Sequence, residues 1–143
     1  MPVMDEPLTV HRDVDLDLPA DELWRLISTA AGWREWMVDG ADLAIVAGAE
    51  GVLTDDGVQR MVRVDEVVDG RSVTFHWCEP GRGDDLSAVR LQLVERPEGG
   101  VRLRITEEWL APHACAECPL RAAARWDLRA CVLCFTALAS CRV

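Results

Sequence analysis

Two short amphipathic helices, set after one alternating strand and before a long run of further strands, constrain this chain more than any other feature. Pro19-Ala20-Asp21-Glu22-Leu23-Trp24-Arg25-Leu26-Ile27 opens the first. Pro19 suits a first helical position, where its missing N–H is no loss. Asp21 and Glu22 then fall in the first turn, where the helix dipole favours negative charge. Leu23, Trp24 and Ile27 share a face. A second helix over Ala31 to Met37 carries Trp33 and Trp36 on one side.

The segment before it is a strand. Leu8, Val10, Val14, Leu16 and Leu18 alternate with Thr9, His11, Asp13, Asp15 and Asp17, the period of a half-buried strand. Arg12 breaks the alternation by standing where apolar groups stand. Further strands are predicted at Leu43–Val46, Val52–Thr54, Val58–Val67, Ser72–Cys78, Ser87–Glu95 and Val101–Trp109. Asp55-Asp56-Gly57 reads as a hairpin turn, because Asp-Gly tolerates positive φ. Phe75 and Trp77 share one face of their strand, and Val89, Leu91 and Leu93 one face of theirs. Val101, Leu103, Ile105, Glu107 and Trp109 share another, so Glu107 is a second charge at an apolar position.

The chain closes on a helix from Pro119 to about Arg142, roughly 35 Å long at 1.5 Å per residue. Trp126, Ala130, Leu133, Cys134, Ala137, Leu138 and Cys141 form its expected buried stripe. Strand, two short helices, many strands and one long helix describe an α+β sheet curled around a terminal helix with a cavity between them. The whole of 1–143 reads as a single domain, long enough to bury about two-thirds of its unfolded surface.

Composition narrows the partners. A net charge of −10, with no Lys and 15 Arg spread among 25 acids, excludes nucleic acid and anionic membrane, which need clustered cations. No apolar run approaches the ~20 residues of a membrane span. The acidic N-terminal segment lacks the features of a secretory signal. The expectation is a cytoplasmic protein whose six cysteines are reduced thiols.

These residues resemble a known group. Pro-Ala-Asp-Glu-Leu-Trp at 19–24, Trp33 and Trp36, the Gly48-Ala49-Glu50-Gly51 turn, Arg71-Ser72-Val73-Thr74-Phe75-His76-Trp77 and the Trp-bearing last helix are similar to the SRPBCC, or START-like, helix-grip superfamily. Within it they most resemble the bacterial homologues of the activator of the heat-shock-protein ATPase. The resemblance implies a curved antiparallel sheet of about seven strands around the C-terminal helix, with a hydrophobic cavity between. Lipid carriers, aromatase/cyclases and hormone receptors share that fold. The eukaryotic co-chaperone carries an additional N-terminal domain for which this sequence leaves no room, so a chaperone-associated role is the lesser expectation.

The expected function is therefore binding of a small hydrophobic or aromatic molecule in the cavity. A cyclase- or hydratase-type reaction is the catalytic alternative. The predicted ligand wall comprises Arg12, Trp33, Trp36, Phe75, Trp77, Leu91, Glu107, Trp109, Trp126, Leu133 and Cys134. The tryptophans either line this cavity or simply pack the core. Arg12 and Glu107, on strands that neighbour each other in helix-grip folds, have three readings. A β-bulge turns one outward, they form a structural ion pair, or they hold a ligand's polar group; a buried charge needs a partner in each case.

The cysteines offer a separate chemistry. His113-x-Cys115-x-x-Cys118 places three soft ligands within six residues, a set suited to zinc if one outside donor joins. The same loop, at a helix start, also suits a reactive thiol, or carries ordinary loop residues. Cys115-x-x-Cys118 and Cys131-x-x-Cys134 together imitate a zinc ribbon. The continuous helix predicted from Pro119 keeps the two pairs roughly 20 Å apart, too far for one ion. Cys134 and Cys141 are expected as small core residues. No Ser-His-Asp or Cys-His constellation can be assembled.

Overall fold

A computed structural model describes residues 8–81, 85–110 and 117–141, with the side chains of 139–141 excepted. Seven strands run β1 (Thr9–Leu16), β2 (Gly40–Asp42), β3 (Glu50–Asp55), β4 (Val58–Val68), β5 (Ser72–Cys78), β6 (Ser87–Glu95) and β7 (Val101–Trp109). They form one antiparallel sheet in the order β1-β7-β6-β5-β4-β3-β2. Helices α1 (Ala20–Ser28) and α2 (Ala30–Trp36) follow β1, and α3 (Cys118–Cys141) ends the described chain. This is the expected α+β helix-grip architecture.

Each element follows from its local chemistry. Alternation in β7 is complete, with every odd residue from Val101 to Trp109 buried. Asp56 and Gly57 take φ of 51° and 77° between β3 and β4, the pair of positive values that a two-residue hairpin with matching twist requires. Helix α1 starts at Ala20, one residue later than Pro19 predicted, with Pro19 as its cap residue. Thr29 then serves both helices: its Oγ1 donates to the Arg25 carbonyl (2.8 Å) and accepts from the Gly32 N–H (2.9 Å). Gly32 is obligatory at this corner, because a Cβ there would lie 2.7 Å from the Leu26 Cα and collide with the Arg25 carbonyl.

The predicted strand at Leu43–Val46 is corrected to β2, three residues earlier. Residues 43–49 instead bend around the sheet edge, where Gly48 donates to the Val64 carbonyl and Val64 to that of Ala49. A β-bulge is present, but in β4 between Val64 and Glu66. The β1–β7 register runs unbroken from Thr9↔Glu108 to Leu16↔Val101, so no bulge turns Arg12 or Glu107 outward.

Helix α3 buries Ala122, Trp126, Leu133 and Ala137, a narrower stripe than predicted. Cys134 and Leu138 are exposed. Both lie on the flank of the stripe that turns away from the sheet. Cys141 carries no described side chain. No described helix is long and apolar enough to cross a membrane.

Candidate functional site

Aromatic rings occupy the space between sheet and α3. Trp33 lies 4.8 Å from Phe75, Phe75 5.3 Å from Trp77, Trp77 5.9 Å from Trp126, and Trp126 6.3 Å from Trp36, ring centre to ring centre. All five are fully buried, as are Leu91 and Leu133. Such offset and tilted contacts are those that aromatic quadrupoles favour. Of the two readings of the tryptophans, core packing describes Trp33 and Trp36.

Trp77 and Trp126 differ, because their N–H groups converge on a carboxylate. Glu107, 1% exposed, accepts four hydrogen bonds. Trp77 Nε1 (2.8 Å) and Ser87 Oγ (2.5 Å) donate to one oxygen, while Trp126 Nε1 (2.9 Å) and Arg125 Nη2 (3.1 Å) donate to the other. A buried carboxylate is tolerated because every donor is preplaced. The Arg12–Glu107 contact that two of the three readings required does not form. Opposite Glu107 in the register stands Val10, and Arg12 reaches across to α3, where its Nε donates to Asp127 (2.7 Å). Parity gave both residues the correct face; the partner of Arg12 lies on α3, and Glu107 is shared between α3 and the neighbouring strands β5 and β6.

Beside this centre a cleft of about 640 Å³ opens between α3 and the β3–β4 end of the sheet. Its floor meets a smaller cavity of about 50 Å³, lined by Glu107 and Trp109 and sharing Arg60, Glu79, Arg121 and Arg125 with the cleft. The smaller space suffices for a few waters. Arg60 and Arg125 both stack on Trp77, their guanidinium carbons 4.9 and 5.1 Å from the ring centre. Arg125 also holds Glu107, while its Nε is buried without a hydrogen-bond partner among the described residues. Among the described residues the acids paired with Arg60, Asp85 and Glu79, stand 3.9 and 4.0 Å away, beyond hydrogen-bond length. Burial, and then the like charge of Arg125, hold Arg60 below the ordinary arginine value. Deeper along the helix, Arg129 pairs with Asp55 and Asp39. Burial alone would lower Arg129, but those two carboxylates outweigh it and raise its pKa. Val58, Ala124 and Leu128 supply the apolar part of the cleft wall.

Arg60, Arg125, Arg129 and Ser87 were absent from the predicted wall. Arg60 and Ser87 carried the signal that singled out Arg12 and Glu107: Arg60 shares parity with the buried Val62 and Val64, and Ser87 with Val89 and Leu91. Among the predicted residues, Trp109 borders the small cavity and Cys134 an outer groove beside Asp15 and Leu16. Cys118 is buried and also borders the small cavity. His113 and Cys115 lie outside the described residues. Among the described residues no cluster of three His, Cys, Asp or Glu is placed to hold a metal. Cys118 sits on the same unbroken helix as Cys131 and Cys134, so it stays apart from them as expected.

The sequence profile of the family described as "Activator of Hsp90 ATPase homolog 1-like protein" matches residues 17–127. The chain belongs to this family. No curated protein matches the sequence significantly. Among solved structures, the chain is similar to MLL2253 from Mesorhizobium loti, with 18% identity, coverage of 87% of this chain and 96% of that one, and a TM-score of 0.70. CalU16 from Micromonospora echinospora aligns at 17% identity over 92% and 77% of the two chains, with a TM-score of 0.72. The Aha1 dimer from Colwellia psychrerythraea aligns at 14% identity over 90% and 95%, with a TM-score of 0.74. At these identities the likeness concerns the fold.

Proposed function

We propose that this chain is a binding module for a small aromatic or hydrophobic acid, held in the cleft between α3 and the β3–β4 end of the sheet. The observation that carries the reading is that Arg60 and Arg125, both stacked on the buried Trp77, line this cleft together. Two guanidiniums share one indole; among the described residues Arg125 is hydrogen-bonded to the Glu107 carboxylate, while Arg60 has Asp85 and Glu79 only at ion-pair distance, 3.9 and 4.0 Å. An anionic oxygen between them would offset their repulsion and accept from both forks. The apolar body would lie along Val58, Ala124 and Leu128. Such a ligand would lie beside the tryptophan core, in a cleft that combines apolar wall with a few convergent polar groups.

A titration of aromatic carboxylates and their neutral amides, followed by tryptophan fluorescence, tests it. The acid should bind saturably and about tenfold or more tighter than the amide, since hydrogen bonds to charged groups contribute ~1.5–3 kcal/mol. Arg60→Met should abolish that preference. Equal affinity for acid and amide, or no saturation with either, would overturn the reading. A chaperone-associated role is the second reading, supported by the family's description; stimulation of an Hsp90 ATPase by the purified chain would establish it.

A further inference from the structure

Helix α3 has a second apolar face, and the core does not use it. Leu120, Leu128, Phe135 and Leu138 are exposed by 75%, 62%, 73% and 62%, and the exposed Ala124 and Cys131 fill the same row. Their spacing of four, four, three, four and three residues keeps all six in one stripe along the helix. An isolated exposed leucine is ordinary. Six small or apolar residues in line, with an exposed area on the order of 500 Å², reach the size at which a surface patch marks an interaction.

We propose that a second copy of this chain covers the stripe, the two α3 helices packing antiparallel about a two-fold axis midway between residues 129 and 130. The stripe is nearly its own reverse about that point. Leu128 then faces the partner's Cys131, Ala124 faces the partner's Phe135, and Leu120 comes within one residue of the partner's Leu138. An isologous interface demands such a pattern, in which residue i meets j and j meets i. The sizes also complement one another, since the bulkiest member, Phe135, falls opposite the smallest, Ala124. Antiparallel helices set their macrodipoles favourably. The stripe supplies more than half of the ~800 Å² per partner of a standard interface, and the groove beside Cys134, Ala137 and Leu138 extends it. Ala124 and Leu128 also border the cleft assigned to the ligand, so a molecule filling that cleft should compete with the dimer; the interface itself does not require the ligand.

Sedimentation equilibrium of the full chain across a dilution series tests the proposal. The native chain should show twice its 15.9 kDa. Phe135→Glu should weaken dimerisation by at least about thirtyfold, the loss expected of an interface hot spot. Met61→Glu, on an exposed site of the sheet, should leave the dimer intact, and all three proteins should share one far-ultraviolet circular dichroism spectrum. Under mild oxidation Leu128→Cys should yield a disulfide-linked dimer faster than the native chain, and replacing Cys131 by Ser in that variant should slow the linkage. A monomeric native chain, or a dimer that survives Phe135→Glu, overturns the proposal. A dimer in which Leu128→Cys does not speed the linkage overturns the antiparallel register.

Discussion

Two pairs of buried tryptophans do different things in this protein, and the difference lies in what receives the indole proton. Trp33 and Trp36 donate to the carbonyls of Ile27 (2.7 Å) and Leu26 (2.9 Å), near the end of α1 where helical carbonyls lack partners of their own. Trp77 and Trp126 donate to the carboxylate of Glu107. The first pair fastens one helix to the next through neutral backbone. The second pair, stacked on each other and on Arg125, surrounds a charge that borders solvent-reachable space. Burial is equal in both, so burial alone does not separate architecture from a site.

The largest expected effect breaks the charged half. Glu107→Ala should destabilise the fold by about 3–5 kcal/mol, because it strands Arg125 and three other donors in the interior. Urea denaturation measures this, and the Trp77 and Trp126 emission should change in the folded state. Glu107→Gln keeps the shape and should lose less. Trp33→Phe tests the neutral half. It removes one hydrogen bond and some volume, so about 1–3 kcal/mol is expected, with the ligand response unchanged. If Trp33→Phe proves as damaging as Glu107→Ala, or alters ligand binding, the two pairs are not distinct.

Parity along the strands made Arg12 and Glu107 conspicuous as charges among apolar neighbours, and it placed every strand except the one at the Ile45 bend. It could not say what either charge meets. In-sheet register is local and periodic, whereas contact between a strand and α3 depends on how far the helix slides along the sheet, and no periodicity encodes that. Two of the three readings had Arg12 and Glu107 meet each other, whereas both reach the same turn of α3, Arg12 at Asp127 and Glu107 at Arg125 and Trp126. Arg60 carried the same parity signal. Arg125 and Arg129, four apart on a helix rich in Ala and Arg, look in sequence like a solvated flank. The exposed stripe was hidden for a related reason: with apolar residues on two faces, the period alone does not say which face the core takes.

The smallest expected effect concerns charge at the surface, where the α1–α2 corner carries an ion pair instead of a buried carboxylate. Arg25 donates to Glu35 (2.6 Å) and to Glu22 (2.7 Å). The hydrogen bond from Arg25 holds the Glu35 carboxyl below its ordinary 4.5. A depressed folded pKa contributes stability above the unfolded value and loses it as the pH falls through the folded one. Unfolding free energy should therefore decline as the pH drops below about 4.5, and Glu35→Gln should flatten part of that decline. Because the pair is solvated, less than about 1 kcal/mol is at stake. A flat profile in the native protein would break the contrast from the other side.

Arg12 has one more consequence. Strand β1 forms an outer edge of the sheet, and an edge of uninterrupted Val and Leu is a template on which other chains can add strands and grow aggregates. A charge turned toward the concave face in the middle of such an edge spoils the template. An incoming strand would have to lay its apolar row directly past the Arg12–Asp127 pair and take both charged groups out of water. The residue that interrupts the first strand's pattern thereby protects that strand from pairing with strangers, at a cost the helix partner has already offset.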